Sequence, residues 1–205
     1  MIIERVLVGD FAVNCYILAG DSDKDAVIID PGDEADKIFK VLKRHNLKPG
    51  IVINTHGHFD HIGCDDSFGV TVYIHAADAP MLQDSRKNYS AFFGASRKVA
   101  AQVRTVSDGQ RVACGSVELV VLHIPGHSAG GIALVLKKPE SNAVFTGDTL
   151  FCQGIGRSDL GGDEDLLVRS IREKLLSLPD GTAVYPGHGP VTTIGNEKRD
   201  NPFLQ

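Results

Sequence analysis

Ile51-Val52-Ile53-Asn54-Thr55-His56-Gly57-His58-Phe59-Asp60-His61-Ile62-Gly63 sets four metal-competent side chains directly behind a short apolar run. Residues 51–54 are mostly β-branched and read as a buried strand. Packing offers no reason for the density that follows. Three imidazoles and a carboxylate buried around one point without a cation would leave polar groups unpaired and like charges adjacent. Imidazole and carboxylate are donors that suit zinc, iron or manganese. In extended backbone leaving a strand, residues two apart point the same way, so His56 and His58 can chelate one ion together. Asp60 and His61 come where the chain turns into a helix, and they diverge enough to serve another. The cluster predicts two neighbouring metal ions.

Further along, a weaker form of the pattern recurs at the ends of three apolar runs. Residues 117–124 lead into Pro125-Gly126-His127, residues 143–146 into Gly147-Asp148, and residues 182–185 into Pro186-Gly187-His188. Each places a His or Asp at the carboxyl end of a strand, beside glycine that lets backbone approach closely, where functional groups gather in sheets. His127, Asp148 and His188 are therefore expected as further ligands. His45, His75 and His123 read as structural: His45 closes a predicted helix, and the other two lie in apolar strand-like runs.

In chain order, Asn14-Cys15-Tyr16-Ile17, Ile29-Asp30-Pro31-Gly32, the histidine cluster, the His127 and Asp148 turns and Pro186-Gly187-His188-Gly189 span nearly the whole chain. This series resembles the metallo-β-lactamase superfamily and, within it, the glyoxalase II-like (hydroxyacylglutathione hydrolase-like) branch. The resemblance implies an α/β (α+β) fold, a four-layer αββα sandwich with metals at one edge. It implies two divalent metal ions, zinc first, with iron or manganese also suited to the donors. His56, His58 and His127 would hold one, Asp60, His61 and His188 the other, and Asp148 would bridge them with one oxygen for each. Two cations sharing a water lower its pKa from about 15.7 toward neutrality, giving a hydroxide nucleophile. Asp60 is the catalytic candidate, orienting or deprotonating that water. The implied reaction is hydrolysis of S-D-lactoylglutathione or a related acyl-thiol. A thiolate leaves readily, so no strong general acid is demanded.

The chain has 205 residues, 42% of them hydrophobic and 23% charged, enough for one sizeable core, and residues 1–205 are expected to form one domain. The net charge is −5, with no concentration of lysine and arginine to track a phosphate backbone, so nucleic acid is not an expected partner. No run approaches a membrane span, and the first residues lack a signal pattern; a cytoplasmic location and no membrane partner are expected. The four cysteines are scattered and expected to be reduced; Cys64 and Cys152, near predicted ligands, are read as buried apolar filler in preference to oxidation-sensitive thiols. Oligomeric state is not legible.

The periodicities predict strands at 2–8, 13–19 and 26–30, then a helix over 33–46 with Ala35, Ile38, Phe39 and Leu42 on its buried stripe. Strands follow at 71–75, 111–113, 116–124, 131–137 and 143–146, the last four joined by hairpins. The stretch 76–94 is irregular and a candidate for substrate contacts. A second helix is predicted over 163–178, capped by Asp163, with Leu167, Ile171, Leu175 and Leu178 facing the core.

Two features bear on the substrate. After Pro190 only residues 191–205 remain, so a separate C-terminal helical domain that binds glutathione is not expected, and Lys198 and Arg199 are not carried over as glutathione ligands. Arg157 is the candidate substrate-binding residue, with a loop salt bridge as its competing role. Asp30 is read either as an orienting partner for a ligand histidine or as a turn former. Alternatives of the same fold are a persulfide dioxygenase-like oxidoreductase, with a single iron on His56, His127 and Asp148, and a lactonase. The resemblance makes β-lactam hydrolysis less expected, because that branch does not use a bridging carboxylate at the Asp148 position. A structural zinc site would be closed and cysteine-rich, unlike this set.

Overall fold

The computed structural model describes residues 1–139 and 142–205. Strands β1 (Ile2–Val8), β2 (Val13–Ala19), β3 (Asp25–Ile29), β4 (Lys48–Ile53), β5 (Val72–His75) and β6 (Val103–Val106) form one sheet in that order. Pairing is antiparallel from β1 to β3 and parallel from β3 to β6. Helices α1 (Ala35–Arg44) and α2 (Phe59–Ile62) lie between its strands in sequence. In the second sheet, β7 (Arg111–Cys114), β8 (Val117–His123), β9 (Ile132–Lys138) and β10 (Ala143–Gly147) form an antiparallel meander. A small hairpin, β11 (Leu150–Phe151) with β12 (Gly154–Ile155), and helix α3 (Glu164–Ser170) precede β13 (Ala183–Pro186). β13 pairs parallel to β10 and carries β14 (Thr192–Thr193) on its far side, and α4 (Ile194–Asp200) follows.

Side-chain alternation explains why these strands are apolar on both faces. Along β2 and β3, Tyr16, Leu18, Val27 and Ile29 point into the core between the sheets, with Leu119, Val121, Ile132, Leu134 and Phe145 opposite. Their neighbours Cys15, Ile17, Ala26 and Ile28 point the other way, under Ile38 and Leu42 of α1. In the second sheet Ala133, Val135 and Val144 face outward beneath Leu167, Ile171 and Ile194. Four layers, helix–sheet–sheet–helix, are the result, as the expected αββα sandwich requires. Phe145 is fully buried between Tyr16 and Tyr185, with ring centroids 5.2 and 5.0 Å away, so truncation to alanine should cost ~3–5 kcal/mol.

Several elements differ from the expectations above. The first helix begins at Ala35 rather than 33, because Glu34 adopts a left-handed conformation (φ 49°) and Asp33 Oδ1 accepts from the Glu34 amide at 2.7 Å. Phe39 is at the margin of its stripe, against Phe68. Asp163 caps α3 as expected, accepting from the Leu166 amide at 2.9 Å, but the helix continues as a π-helical turn over Ile171–Leu175. Leu167, Ile171 and Leu175 recur every four residues, a period that drifts off one face of an α-helix, and local widening brings Ile171 and Leu175 back onto the core. Leu178 lies beyond that turn, partly buried against the same cluster. Cys152 is exposed, against the expectation of buried filler, whereas Cys15 is fully buried. No helix among the described residues is long and apolar enough to cross a membrane.

The strand ends at one edge define the next layer of construction. β3, β4, β10 and β13 all finish there, releasing Asp30, the 54–61 loop, Asp148 and His188 in turn. Backbone bonds stitch the two sheets across this edge: the Ile132 amide donates to Thr55 O (2.8 Å) and the Asn14 amide to Gly187 O (2.7 Å), while the Gly187 amide extends the β10–β13 pairing to Gly147 O (2.8 Å).

Candidate active site

All seven expected ligands converge. His56, His58 and His127 present one donor atom each within 4.8 Å of one another; Asp60, His61 and His188 do the same, and His56, His61 and Asp148 form a third overlapping group. Asp148 lies between the first two. Its Oδ1 is 3.4 Å from His61 Nε2, and its Oδ2 is 3.5 Å from His188 Nε2 and 3.9 Å from His127 Nε2. Asp60 Oδ2 lies 3.6 Å from His188 Nε2 and 3.8 Å from His61 Nε2. Two ligand atoms about 2.1 Å from a shared tetrahedral cation sit roughly 3.4 Å apart, which is the separation these pairs approach.

The hydrogen bonds behind the imidazoles decide which nitrogen faces inward. Thr55 Oγ1 donates to Asp30 Oδ2 (2.6 Å), so its oxygen accepts from His56 Nδ1 (3.1 Å) and leaves His56 Nε2 inward. His61 Nδ1 donates to Asp30 Oδ2 at 3.0 Å, His127 Nδ1 to the Arg157 carbonyl at 2.7 Å, and His188 Nδ1 to the Phe11 carbonyl at 3.0 Å. Each therefore turns Nε2 to the centre. His58 differs, offering Nδ1, which lies 2.9 Å from His127 Nε2. Of the two roles open to Asp30, the structure shows the orienting one, and it also accepts from the Thr55 amide at 2.7 Å.

Within this cage, His56 Nε2, His61 Nε2 and Asp148 Oδ1 are buried and have no hydrogen-bond partner. Orphaned buried polar atoms are costly, and three converging on one point fit divalent cations. Burial, reinforced by neighbouring imidazoles, holds His56 well below its ordinary pKa and lowers His58 to about 3. For His61 burial works against charge, but Asp148, Asp60 and Asp30 outweigh it and raise the pKa well above normal. His188 is also raised: burial opposes charge there, and Asp60 and Asp148 overcome it. Burial would lift the Asp148 pKa, yet the surrounding imidazoles, His61 foremost, keep it well below the carboxylate range.

Asp78 is a site residue that the sequence did not disclose. Its buried carboxylate accepts from the Gly57 amide (3.1 Å), Ser128 Oγ (2.7 Å) and the Gly130 amide (2.6 Å), joining the His56–His58 loop to the His127 loop. In sequence it is one Asp in a turn after a strand, and its partners are backbone and hydroxyl groups far away, so no local pattern marks it. Asn14 and Tyr16 support His188 similarly, through Nδ2 to the carbonyls of Pro186 and Gly189 (both 2.9 Å) and through the hydroxyl to Pro186 O (2.8 Å).

A cavity of about 180 Å³ opens over the ligands, lined by His58, Asp60, His127, Asp148 and His188 together with Phe11, Phe59, Tyr89, Phe93, Arg157 and Leu160. The 76–94 stretch, two short 3₁₀ turns in the structure, contributes Tyr89 and Phe93 to it. The Tyr89 hydroxyl donates to the Leu160 carbonyl and so ties this stretch to the Arg157 loop. Arg157 lies at the cavity, but its guanidinium is paired in two-pronged fashion with Asp159, at 2.6 and 2.7 Å. The loop salt bridge weighed from sequence is thus formed, and the contribution of Arg157 to the ligand cage is its main-chain carbonyl. His45 binds Glu4 at 2.7 Å, and His75 stacks on His123 with centroids 3.9 Å apart, all outside the cage. Lys198 pairs with Asp180 at 2.6 Å.

Comparison with known proteins agrees with this geometry. Residues 8–188 match the family model described as the metallo-beta-lactamase superfamily. The hydroxyacylglutathione hydrolase GloC of Haemophilus influenzae is 37% identical over 211 residues, covering all of this chain and 98% of that protein. The crystal structure of BLEG-1 B3 metallo-beta-lactamase superposes with a TM-score of 0.92 at 39% identity, covering both chains completely. A di-iron-bound form of TTHA1623 superposes at 0.85 with 38% identity, covering 98% of this chain and all of the other. From the family match over most of its length, and from these relatives, the chain belongs to the metallo-beta-lactamase superfamily.

Proposed function

We propose that the chain is a hydrolase dependent on two divalent metal ions and that it cleaves acyl-thiols, in the manner of the glyoxalase II-like branch. The observation that carries the reading is the position of Asp148: its Oδ1 lies against His61 and its Oδ2 against both His188 and His127, so one carboxylate touches members of both triads. His56, His58 and His127 would hold one ion and Asp60, His61 and His188 the other. When bound, the pair would supply Lewis acidity to an attacking water and to the substrate carbonyl. Zinc suits the nitrogen and oxygen donors, and the di-iron form of TTHA1623 makes iron an equal candidate.

The residues do the remaining work. Asp60, on the rim of the cavity, can accept the proton of an attacking water. Asp30 and the Arg157 and Phe11 carbonyls hold His61, His127 and His188 in the orientation that turns Nε2 to the reacting centre. A thiolate, once expelled, needs no proton donor, and none is required of the lining. A single-iron dioxygenase would leave the Asp60, His61 and His188 group without a purpose, which favours the two-ion hydrolase.

The test is a hydrolysis screen of S-lactoylglutathione, other acyl thiols, a lactone and a β-lactam on protein loaded with zinc or iron, with and without chelator. Chelator-sensitive thioester cleavage is expected, together with two metal equivalents per chain. Asp148→Ala should lower kcat/KM at least about 10³-fold, ~4 kcal/mol, and reduce metal content with it. Saturation at one equivalent, or full turnover by the variant, would remove the bridging role.

A further inference from the structure

We infer that the half of the thioester that extends away from the ligand cluster is apolar and uncharged, seated against a wall made by Phe11, Phe59 and Phe93. The inference rests on the acyl-thiol reading above and names the chemical class of its substrate.

The wall is a preformed aromatic surface. Phe11 and Phe59 meet edge to face at 5.3 Å, Phe11 and Phe93 at 5.4 Å, and Phe59 and Phe93 tilt together at 4.8 Å. Phe11 is nonetheless 46% exposed and Phe93 60%. Large rings clustered and left in water beside a reactive centre are a binding surface rather than core. They are also anchored to the ligands: Phe59 precedes Asp60 in the chain, and the Phe11 carbonyl holds His188. The same three rings line both the cavity over the ligands and a neighbouring one of about 390 Å³, so a substrate whose carbonyl sits at the ligands extends its larger half along them.

Charge along this path argues against an anionic thiol. The neighbouring cavity carries Asp10 and Asp33 beside the proposed ligand Asp60, and its one cationic lining residue, Arg97, is paired with Asp33 at 3.1 Å. At the other end the Arg157 guanidinium is occupied by Asp159. A peptide thiol with two free carboxylates, such as glutathione, would find both lining guanidinium groups already paired and would have to break an ion pair to gain a cationic partner for either carboxylate. A neutral aryl or alkyl thiol leaves both pairs intact and removes exposed ring surface from water.

Binding of two thioethers that cannot be hydrolysed tests this without reliance on turnover. Benzyl methyl thioether and S-methylglutathione are titrated into metal-loaded protein and followed by NMR. The benzyl compound should bind at least tenfold more tightly, ~1.4 kcal/mol, and shift the phenylalanine ring resonances. Phe93→Ala should reduce that preference at least fivefold, and Phe93→Leu should restore part of it. Equal or tighter binding of S-methylglutathione, or a preference untouched by Phe93→Ala, overturns the inference. Kinetics distinguish the two readings: if no thioester is cleaved in the screen above, the hydrolase reading fails, whereas the binding preference is still measured and decides the character of the wall.

Discussion

At the scale of single residues, the two triads differ in the protons they carry. Burial keeps His56 and His58 neutral throughout the physiological range, with His58 lowered to about 3. His61 and His188 are instead raised, by Asp148 and Asp60 against the opposing effect of burial, which favours their protonated forms when no cation is bound. A cation must displace those protons. Metal binding to the Asp60, His61 and His188 group should therefore release more protons, and weaken more as pH falls, than binding to the other triad. Calorimetric titration in two buffers of different ionisation enthalpy measures the release; zero protons for both equivalents would contradict the assignment. Asp30→Asn should weaken the ion held by His61 about 10–100-fold, read by competition with a chromophoric chelator, and an unchanged affinity would reduce Asp30 to a turn former. Much of this chemistry was legible in sequence, because two-residue alternation after a strand places His56 with His58. The Asp30 link was legible only as one of two roles, since its partner His61 is 31 residues away.

Elements were legible where both faces of a strand are buried and less so where few side chains decide. β2, buried at every position, matches the strand read from the sequence residue for residue and ends at Gly20; the more exposed β1 also matches, its run ending at Gly9. β6, with Arg104 and Thr105 exposed between two valines, has too little alternation to announce itself and is set by pairing with β5. The two-residue strands β11, β12 and β14 are shorter than any periodicity. The stretch after β5 is irregular because its work is done by Asp78, which clasps two ligand loops, rather than by a repeating face. Asp78→Ala leaves the buried Gly57 and Gly130 amides and the Ser128 hydroxyl unpaired, and should cost ~3–5 kcal/mol. Melting should fall by about 10 °C, with metal affinity falling alongside, and Asp78→Asn should lie between variant and wild type. A variant that melts like wild type would show that the clasp carries no load. Gly187 sets another such limit: a Cβ there would meet Asp148 Oδ1 and His61 Cε1, which is why the turn before His188 tolerates nothing larger.

At the scale of the whole molecule, each proposed ion draws on both sheets. His56, His58, Asp60 and His61 follow the first sheet's β4, whereas His127, Asp148 and His188 follow strands of the second. Layer composition was legible through the family resemblance, which implies the four-layer αββα sandwich that the structure has. The pairing order of the strands, which sends β10 beside β13, was not, because it depends on long-range register. This placement has a thermodynamic consequence. The sheets already share an apolar core and a few backbone bonds at the site edge. Cations held by ligands from both sheets would join them further, and unfolding would have to release the ions. Ligand linkage then adds RT ln(1 + [L]/Kd), ~4 kcal/mol per ion at a free concentration a thousandfold above Kd. For a chain of this size each ion is worth about 8–16 °C of melting temperature. Adding a strong chelator should therefore lower the melting point by at least that amount, and readdition of zinc or iron should restore it in proportion to the logarithm of free metal. Asp148→Asn, which keeps the shape and loses the charge, should abolish most of the metal-dependent shift. A melting point indifferent to chelator would mean that the ligands do not span the sheets through bound ions, and the two-ion reading would fall with it.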